Sequence, residues 1–285
     1  MLQHQKLRRI RILLLAPSCM MVGVVAQAAE PAISPTVLNA NNEVSISVNL
    51  LNRNYAERSS GGFSRPFDRE NGWVPGFTIK GQKTFDVDGI TGLFGALTFS
   101  HNSGNVNYYS PPPFQYYGNT NYGINNVNIK FGRIIQIKPK FYALPYAVIG
   151  YRSWERELLG SYGYNEHYSN LYAGIGTKFE YSFTERLLFT LNLRIAEELG
   201  AHMTASGGTL SGIPSSFLHF DLGGRPDWKI GAGYDYAISR HIHLIGNFSF
   251  DQFGYGASVP GTSPFFEPSS RTKDVTAAVG FAYNF

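Results

Sequence analysis

The chain has 285 residues, 24 of them basic and 20 acidic, and a single cysteine, which excludes a disulfide scaffold. Only 15% of the residues are charged, against roughly 25% in an ordinary soluble domain, while 15% are aromatic. Mean hydropathy is slightly below zero, so no bundle of greasy helices is expected, yet something other than charge must face the surroundings.

In chain order, residues 1–28 predict a cleaved secretory signal peptide. Lys6, Arg8, Arg9 and Arg11 form a basic leader, Ile12 to Val25 an apolar core, and Ala26-Gln27-Ala28 a small-residue cleavage site. The apolar run is shorter than the ~18–20 residues of a membrane-crossing helix. Cleavage would leave 20 basic and 20 acidic residues, so the overall basic balance is no argument for nucleic acid, and none is expected as a partner. Cys19 sits in the leader behind Ala16-Pro17-Ser18, a poor lipoprotein site, and is expected to be discarded with it. Residues 29–42 are assigned to a periplasmic N-terminal segment.

From residue 43 onward the recurring signal is period two. Val44-Ser45-Ile46-Ser47-Val48-Asn49-Leu50 alternates without a break, and so do Leu187 to Ala196, Trp228 to Ile238, and Val275 to Phe285. Successive strand side chains point to opposite faces, so each segment has a greasy face and a polar one. Ten segments result: 43–54, 73–85, 91–102, 123–136, 140–152, 168–183, 187–198, 228–238, 241–252 and 274–285. Their connections alternate long and short. A soluble sandwich would use shorter strands, on average ~5–6 residues, whereas a tilted transmembrane strand needs ~9–11. The prediction is therefore all-β: a closed antiparallel up-and-down transmembrane β-barrel over 43–285, of ten strands, with twelve or eight as alternatives. The stretch Ser216 to Gly223 reads as an outer extension of 228–238, or as the start of an extra pair.

Closure demands that the last segment pair with the first, because an open edge in lipid leaves backbone groups unpaired. Gly280, Tyr283 and the final Phe285 resemble the C-terminal signature of bacterial outer-membrane β-barrel proteins. That resemblance implies insertion by the barrel-assembly machinery into the outer membrane of a Gram-negative bacterium, with outer-membrane lipids as surroundings. Phe85, Phe99, Tyr181, Phe183, Trp228, Tyr283 and Phe285 suit aromatic girdles at the two interfaces.

The polar face would fill the lumen with Glu43, Arg53, Lys80, Lys130, Lys178, Glu180, Arg194, Glu198, Lys229, Asp235 and Asp251. Charges of both signs in a narrow barrel should cross-link its walls and leave it narrow or occluded. Function then falls on the long loops. Tyr108, Tyr109, Phe114, Tyr116 and Tyr117 flank a proline run, and Tyr162, Tyr164 and Tyr255 repeat the theme, as in binding loops. The expected function is surface binding or envelope support, with a narrow channel for small solutes as the alternative.

A second alternative is enzymatic. His101 and Ser103 share the outward face of one strand near the outer rim. This His-x-Ser pair looks like the dyad of outer-membrane phospholipase A and of the lipid A deacylases, which implies a lipid acyl hydrolase. In those families an Asn or Glu about twelve residues after the Ser orients the His; that place here holds Gln115, and Asn125 is the substitute at a different spacing. His241-Ile242-His243 would place two imidazoles on one lumenal face, with no third metal ligand apparent. The turn Asp86-Val87-Asp88 does not resemble the Asp-rich rim of outer-membrane proteases. With no phosphate loop, nucleophile elbow or zinc cluster, no cofactor and no metal are expected.

Overall fold

The computed structural model describes residues 33–58, 66–112, 115–207, 218–258 and 266–285. The signal-peptide prediction, Cys19 and Phe114 lie outside them.

The described chain forms one helix, α1 (Pro35–Ala40), and twelve strands: β1 (Glu43–Arg58), β2 (Pro66–Val87), β3 (Ile90–Ser110), β4 (Tyr116–Arg133), β5 (Ile135–Lys138), β6 (Phe141–Leu158), β7 (Tyr164–Ser182), β8 (Leu187–Gly207), β9 (Leu218–Leu222), β10 (Pro226–Ala237), β11 (Ile242–Phe253) and β12 (Ser269–Asn284). Ten of them close a ring in the order β1-β2-β3-β4-β6-β7-β8-β10-β11-β12, every pair antiparallel, with β12 returning to β1. The two others are continuations: β5 extends β4 past Ile134 at the short-turn end, and β9 extends β10 by pairing further along β8. The ring therefore has ten strands rather than twelve.

The seam β1–β12 pairs Glu43 with Asn284 and runs without a break to Arg58 opposite Ser269. The terminal segment cannot fray because it supplies backbone partners to both β1 and β11. Gly280 suits its place there: a Cβ on it would lie 2.1 Å from the Ile46 carbonyl oxygen.

Alternation sorts the side chains. On β1 the even positions Val44, Ile46, Val48 and Leu50 are exposed, while Glu43, Ser45, Asn49, Leu51 and Arg53 are buried. The same belt continues through Ile79, Leu97, Ile129, Ile149, Ile175, Ile195, Ile230, Phe248, Val279 and Phe281. A contiguous apolar belt around a whole barrel is far larger than the few hundred Å² a water-soluble monomer exposes, so lipid must cover it. Among the rings expected at its margins, Phe85, Tyr181, Phe183, Trp228, Tyr283 and Phe285 are exposed.

The strands overshoot this belt. β2 has 22 residues and β3 and β8 have 21 each, about twice what a bilayer requires. All the excess lies at the long-loop end, where the expected loops are largely strand. The β3–β4 connection shrinks from 103–122 to 111–115, and the β6–β7 connection from 153–167 to 159–163. Asn, Gly, Ser and Tyr replace the aliphatic residues once the outward face leaves lipid, which makes strand look like loop. On β8 the alternation also breaks. Gly200 takes φ +55, the register shifts between Ser169 and Leu171 on β7, and the inward set changes from Ala196 and Glu198 to Ala201, Met203 and Ala205. A bulge of this kind needs a residue at home at positive φ.

Candidate functional site

The lumen is the most elaborate part of the molecule, and it has three storeys. The upper one, at the long-loop end, is an aromatic block. The Trp154 ring has Tyr55 and Tyr122 edge-on at 5.1 Å and Tyr168 stacked at 4.9 Å, and Tyr168 stacks in turn on Tyr255 at 5.3 Å. All five rings are buried. Arg53 lies over Trp154 at 4.8 Å, and Arg152 over Phe253 at 3.6 Å.

Above Trp154 on the same face of β6, Arg156 gathers four carboxylates. Its Nε donates to Glu70 (3.0 Å), its Nη2 to Asp68 (2.7 Å), and its Nη1 to Glu57 (3.3 Å) and Glu166. Tyr168 donates to Glu166 and, at 2.7 Å, to Glu267, while Tyr55 donates to Glu57 at 2.9 Å. One guanidinium therefore faces an excess of acid, beyond the belt marked by Leu50 on β1 and Trp73 on β2. The imbalance shows in proton affinity. Burial pushes Asp68 up to about 6 against the pull of Arg156. Burial and then the Glu166 carboxylate hold Glu267, on the β11–β12 loop, well above the usual carboxylate range.

The middle storey is a chamber of about 350 Å³, lined by serine, threonine and asparagine side chains and lysines 80, 130, 178 and 229, with apolar Leu51, Phe94, Ile124, Leu144 and Leu188 among them. Its walls are tied by ion pairs: Arg53–Asp274 (2.6 Å), Arg152–Glu198 (2.7 Å), Arg152–Asp227 (3.0 Å), Arg194–Asp227 (2.5 Å), Arg194–Asp251 (3.4 Å), Lys229–Asp251 (3.5 Å), Lys80–Glu43 (3.2 Å) and Lys178–Glu180 (2.9 Å). Lys130 instead lies over the Tyr146 ring at 4.8 Å, and Asp235 meets His243 at 2.7 Å. Every charge expected in the lumen thus faces it. Sequence reasoning missed Arg152, Arg156, Glu57, Glu166, Asp227 and Asp274. Their signal was the same parity: Arg152 and Asp274 end predicted segments on the inward face, and the others carry that parity into stretches whose composition reads as loop.

The lower storey is closed by α1. Ser34 caps the helix by accepting from the Val37 N–H (3.4 Å), and Val37 and Ala40 are buried against Phe94, Tyr142, Leu144 and Leu188. Asn41 donates to both oxygens of Glu180 (3.0 and 3.1 Å) and accepts from Lys178 (2.6 Å). Gln82 and Asn284 donate to the Ala40 and Asn39 carbonyls (2.5 and 2.7 Å), and the Ser34 N–H donates to the Tyr142 hydroxyl (3.1 Å). The segment assigned only as periplasmic is, from residue 33, a stopper in the barrel mouth.

The tyrosines expected on binding loops divide into two groups. Tyr109 and Tyr117 are cross-strand partners at the tip of the β3–β4 hairpin with ring centres 4.9 Å apart, and Tyr116 meets Tyr108 at 5.9 Å and Tyr162 at 6.0 Å. Tyr117 and Tyr162 are the outermost, 68% and 57% exposed. Tyr108 and Tyr255 are instead buried inward, and Tyr164 points at Arg156, 5.7 Å from its ring. These three belong to the lumen: the strands of Tyr108 and Tyr164 continue past the belt with the inward parity, and Tyr255, just after β11, folds in to stack on Tyr168.

His101, Ser103 and Asn125 lie on the outer wall at the upper edge of the belt, just above Phe99 and Val127. His101 and Asn125 are register partners, and Nδ1 of His101 is 2.8 Å from Oδ1 of Asn125. Among the described residues no hydrogen bond joins His101 to Ser103. Gln115 hydrogen-bonds the Tyr117 hydroxyl instead.

The two imidazoles of His241 and His243 do not share a face. His241 precedes β11, stacks on the outward Tyr283 ring at 5.7 Å and contacts the Asn284 carbonyl. His243 is buried in the lumen, where one atom each from Glu43, Asp235 and His243 lie within 4.8 Å of one another. The turn Asp86-Val87-Asp88 sits at the short-turn end, Asp86 accepting from the Gly92 N–H at 2.8 Å.

A closed ten-stranded antiparallel ring, apolar outside and polar and charge-paired inside, is the architecture of bacterial outer-membrane β-barrels. No described protein family matches the chain, and no curated protein matches it. Among solved structures, the outer membrane protease OmpT from Escherichia coli is similar in fold, with a TM-score of 0.57 and 9% identity over 86% of this chain and 98% of that one. The transport unit of the autotransporter AIDA-I from Escherichia coli gives 0.46 at 8% identity, over 85% and 90% of the two chains. OprG from Pseudomonas aeruginosa gives 0.41 at 8% identity, over 86% and 96%.

Proposed function

We propose that this chain is an outer-membrane protein with a non-conducting barrel, its short turns in the periplasm and its long strand extensions outside the cell, acting in surface binding or envelope support. The observation that carries this reading is the lumen, blocked twice: by the Trp154 aromatic block above the chamber and by α1 below it. A channel would need both to move. The exposed rings of Tyr117 and Tyr162, with Tyr109 packed beside Tyr117, form a rigid aromatic ridge at the outermost hairpins. Amphipathic rings held in place bind at low entropic cost, so this ridge is the proposed contact for an extracellular partner. Recording the intact protein in planar bilayers tests the reading. No steady conductance is expected, and regular single-channel steps would replace it with the narrow-channel alternative.

A second reading has its own support. The His101–Asn125 contact supplies the orienting group that the sequence spacing did not. With Nδ1–H donating to Asn125, Nε2 of His101 is left as the base. Ser103 would attack a lipid ester carbonyl while His101 takes its proton and returns it to the leaving alcohol, and water would then release the acyl group. The location at the edge of the belt is where lipid ester bonds lie. Release of fatty acid from phospholipid or lipid A, abolished by Ser103→Ala, would establish this activity. No release from either would remove it.

A further inference from the structure

The chamber floor holds a group that the plug and the ion-pair network leave only partly satisfied. Glu43 on β1, Asp235 on β10 and His243 on β11 converge across β12, where Asn284, opposite Glu43, is turned to the Asn39 and Asn42 carbonyls and the next inward residues are the small Ala282, opposite His243, and Gly280. Over these small residues the Glu43 carboxylate comes within reach of His243 and Asp235. Two like-charged carboxylates face each other beside an imidazole, in a place where Glu43 is 1% and His243 2% exposed.

The hydrogen bonding is incomplete in a particular way. Oε1 of Glu43 is used by Lys80 (3.2 Å) and Gln82 (3.0 Å), but its buried Oε2 has no partner. His243 Nδ1 lies 2.7 Å from Asp235 Oδ1, and its buried Nε2 has no partner. A carboxylate oxygen and an imidazole nitrogen this close can share a cation in place of a proton. Orphaned buried polar atoms are costly, which argues that something satisfies them.

We propose that Glu43, Asp235 and His243 hold one divalent transition metal of the zinc type. The donor set of one imidazole nitrogen and two carboxylate oxygens matches zinc-type ions, and the nitrogen disfavours calcium and magnesium. Glu43 and Asp235 also line the chamber, so water can complete the coordination from above. Such an ion would tie the first strand to the β10–β11 hairpin across the closing strand. It would fasten the seam from inside.

Full-length protein in detergent, stripped with chelator and titrated with zinc chloride by calorimetry, should bind one ion per chain. Cobalt substitution should give visible d–d absorption, and calcium should not compete. His243→Ala and Glu43→Gln should each weaken zinc binding at least tenfold, while His241→Ala should leave it unchanged. Zinc should also raise the temperature at which the folded band converts on a gel, in the wild type and not in His243→Ala. Should His243→Ala fail to fold, Asp235→Asn carries the same test. Absence of stoichiometric binding, or binding that survives these substitutions, overturns the proposal.

Discussion

Arg53 and Asp274 face each other across the seam between the first and last strands of the ring, joined by two hydrogen bonds of 2.9 and 2.6 Å. They are 221 residues apart in sequence, and both are buried. The pair is a fork-to-fork contact of the strong kind, but its larger consequence comes from breaking it. Arg53→Ala leaves a buried carboxylate without a counter-charge and should cost about 3–5 kcal/mol. The measurement is the temperature of band conversion for the folded barrel. Arg53→Met combined with Asp274→Leu should recover most of the loss, because the pair is then replaced by packing.

The two blocks stand in series. Deleting residues 33–41 should leave the barrel non-conducting because the Trp154 block remains. Trp154→Ala alone should also leave it closed, at a cost of about 3–5 kcal/mol from the cavity in the aromatic stack. Only the double variant should pass steady current in planar bilayers. Conduction by either single variant would show that one block alone seals the lumen.

Acid should favour the outer extension. Asp68 and Glu267 have folded affinities for protons above their unfolded ones, so the native state binds more protons. Their stabilising contribution is therefore complete below the unfolded carboxylate range and is lost as pH rises through the folded values, about 6 for Asp68 and higher for Glu267. Hydrogen exchange at residues 254–258 should be faster at pH 8 than at pH 5, after correction for intrinsic rates. Glu267→Gln should flatten the difference.

Gly200 should not tolerate a β-branched residue. Gly200→Val forces positive φ on a side chain that avoids it, at roughly 1–3 kcal/mol. The inward turn of Ala201, Met203 and Ala205 should suffer first. The β8–β9 pairing, seen by exchange of the Leu218–Leu222 amides, should loosen while the ten-stranded ring persists.

The ring was legible because lipid imposes a strict rule. Within the belt one face must be apolar, and Val44 to Leu50 or Val275 to Phe285 obey it residue by residue. Above the belt the rule lapses, and Asn107-Tyr108-Tyr109 or Tyr164-Asn165-Glu166 look like loop although they are paired strand. That is why Arg156 and its carboxylates escaped notice. Gly200 hid a further stretch by reversing the parity. The stopper was illegible for another reason: six residues of helix carry no readable periodicity, and α1 owes its place to Tyr142, Lys178, Glu180 and Asn284, all more than 100 residues away. The error at His241 was one of boundary, since β11 starts at Ile242 and His241 lies in the turn before it, so only His243 is held inside.

The helix in the mouth also carries information about assembly. Its polar contacts come from β2, β6, β7 and β12, through Gln82, Tyr142, Lys178 with Glu180, and Asn284, so partners from early, middle and final hairpins meet at one spot. A ring lacking any of these strands offers an incomplete socket. The stopper is thus a completion check: it seats only on a cylinder whose every quarter has arrived.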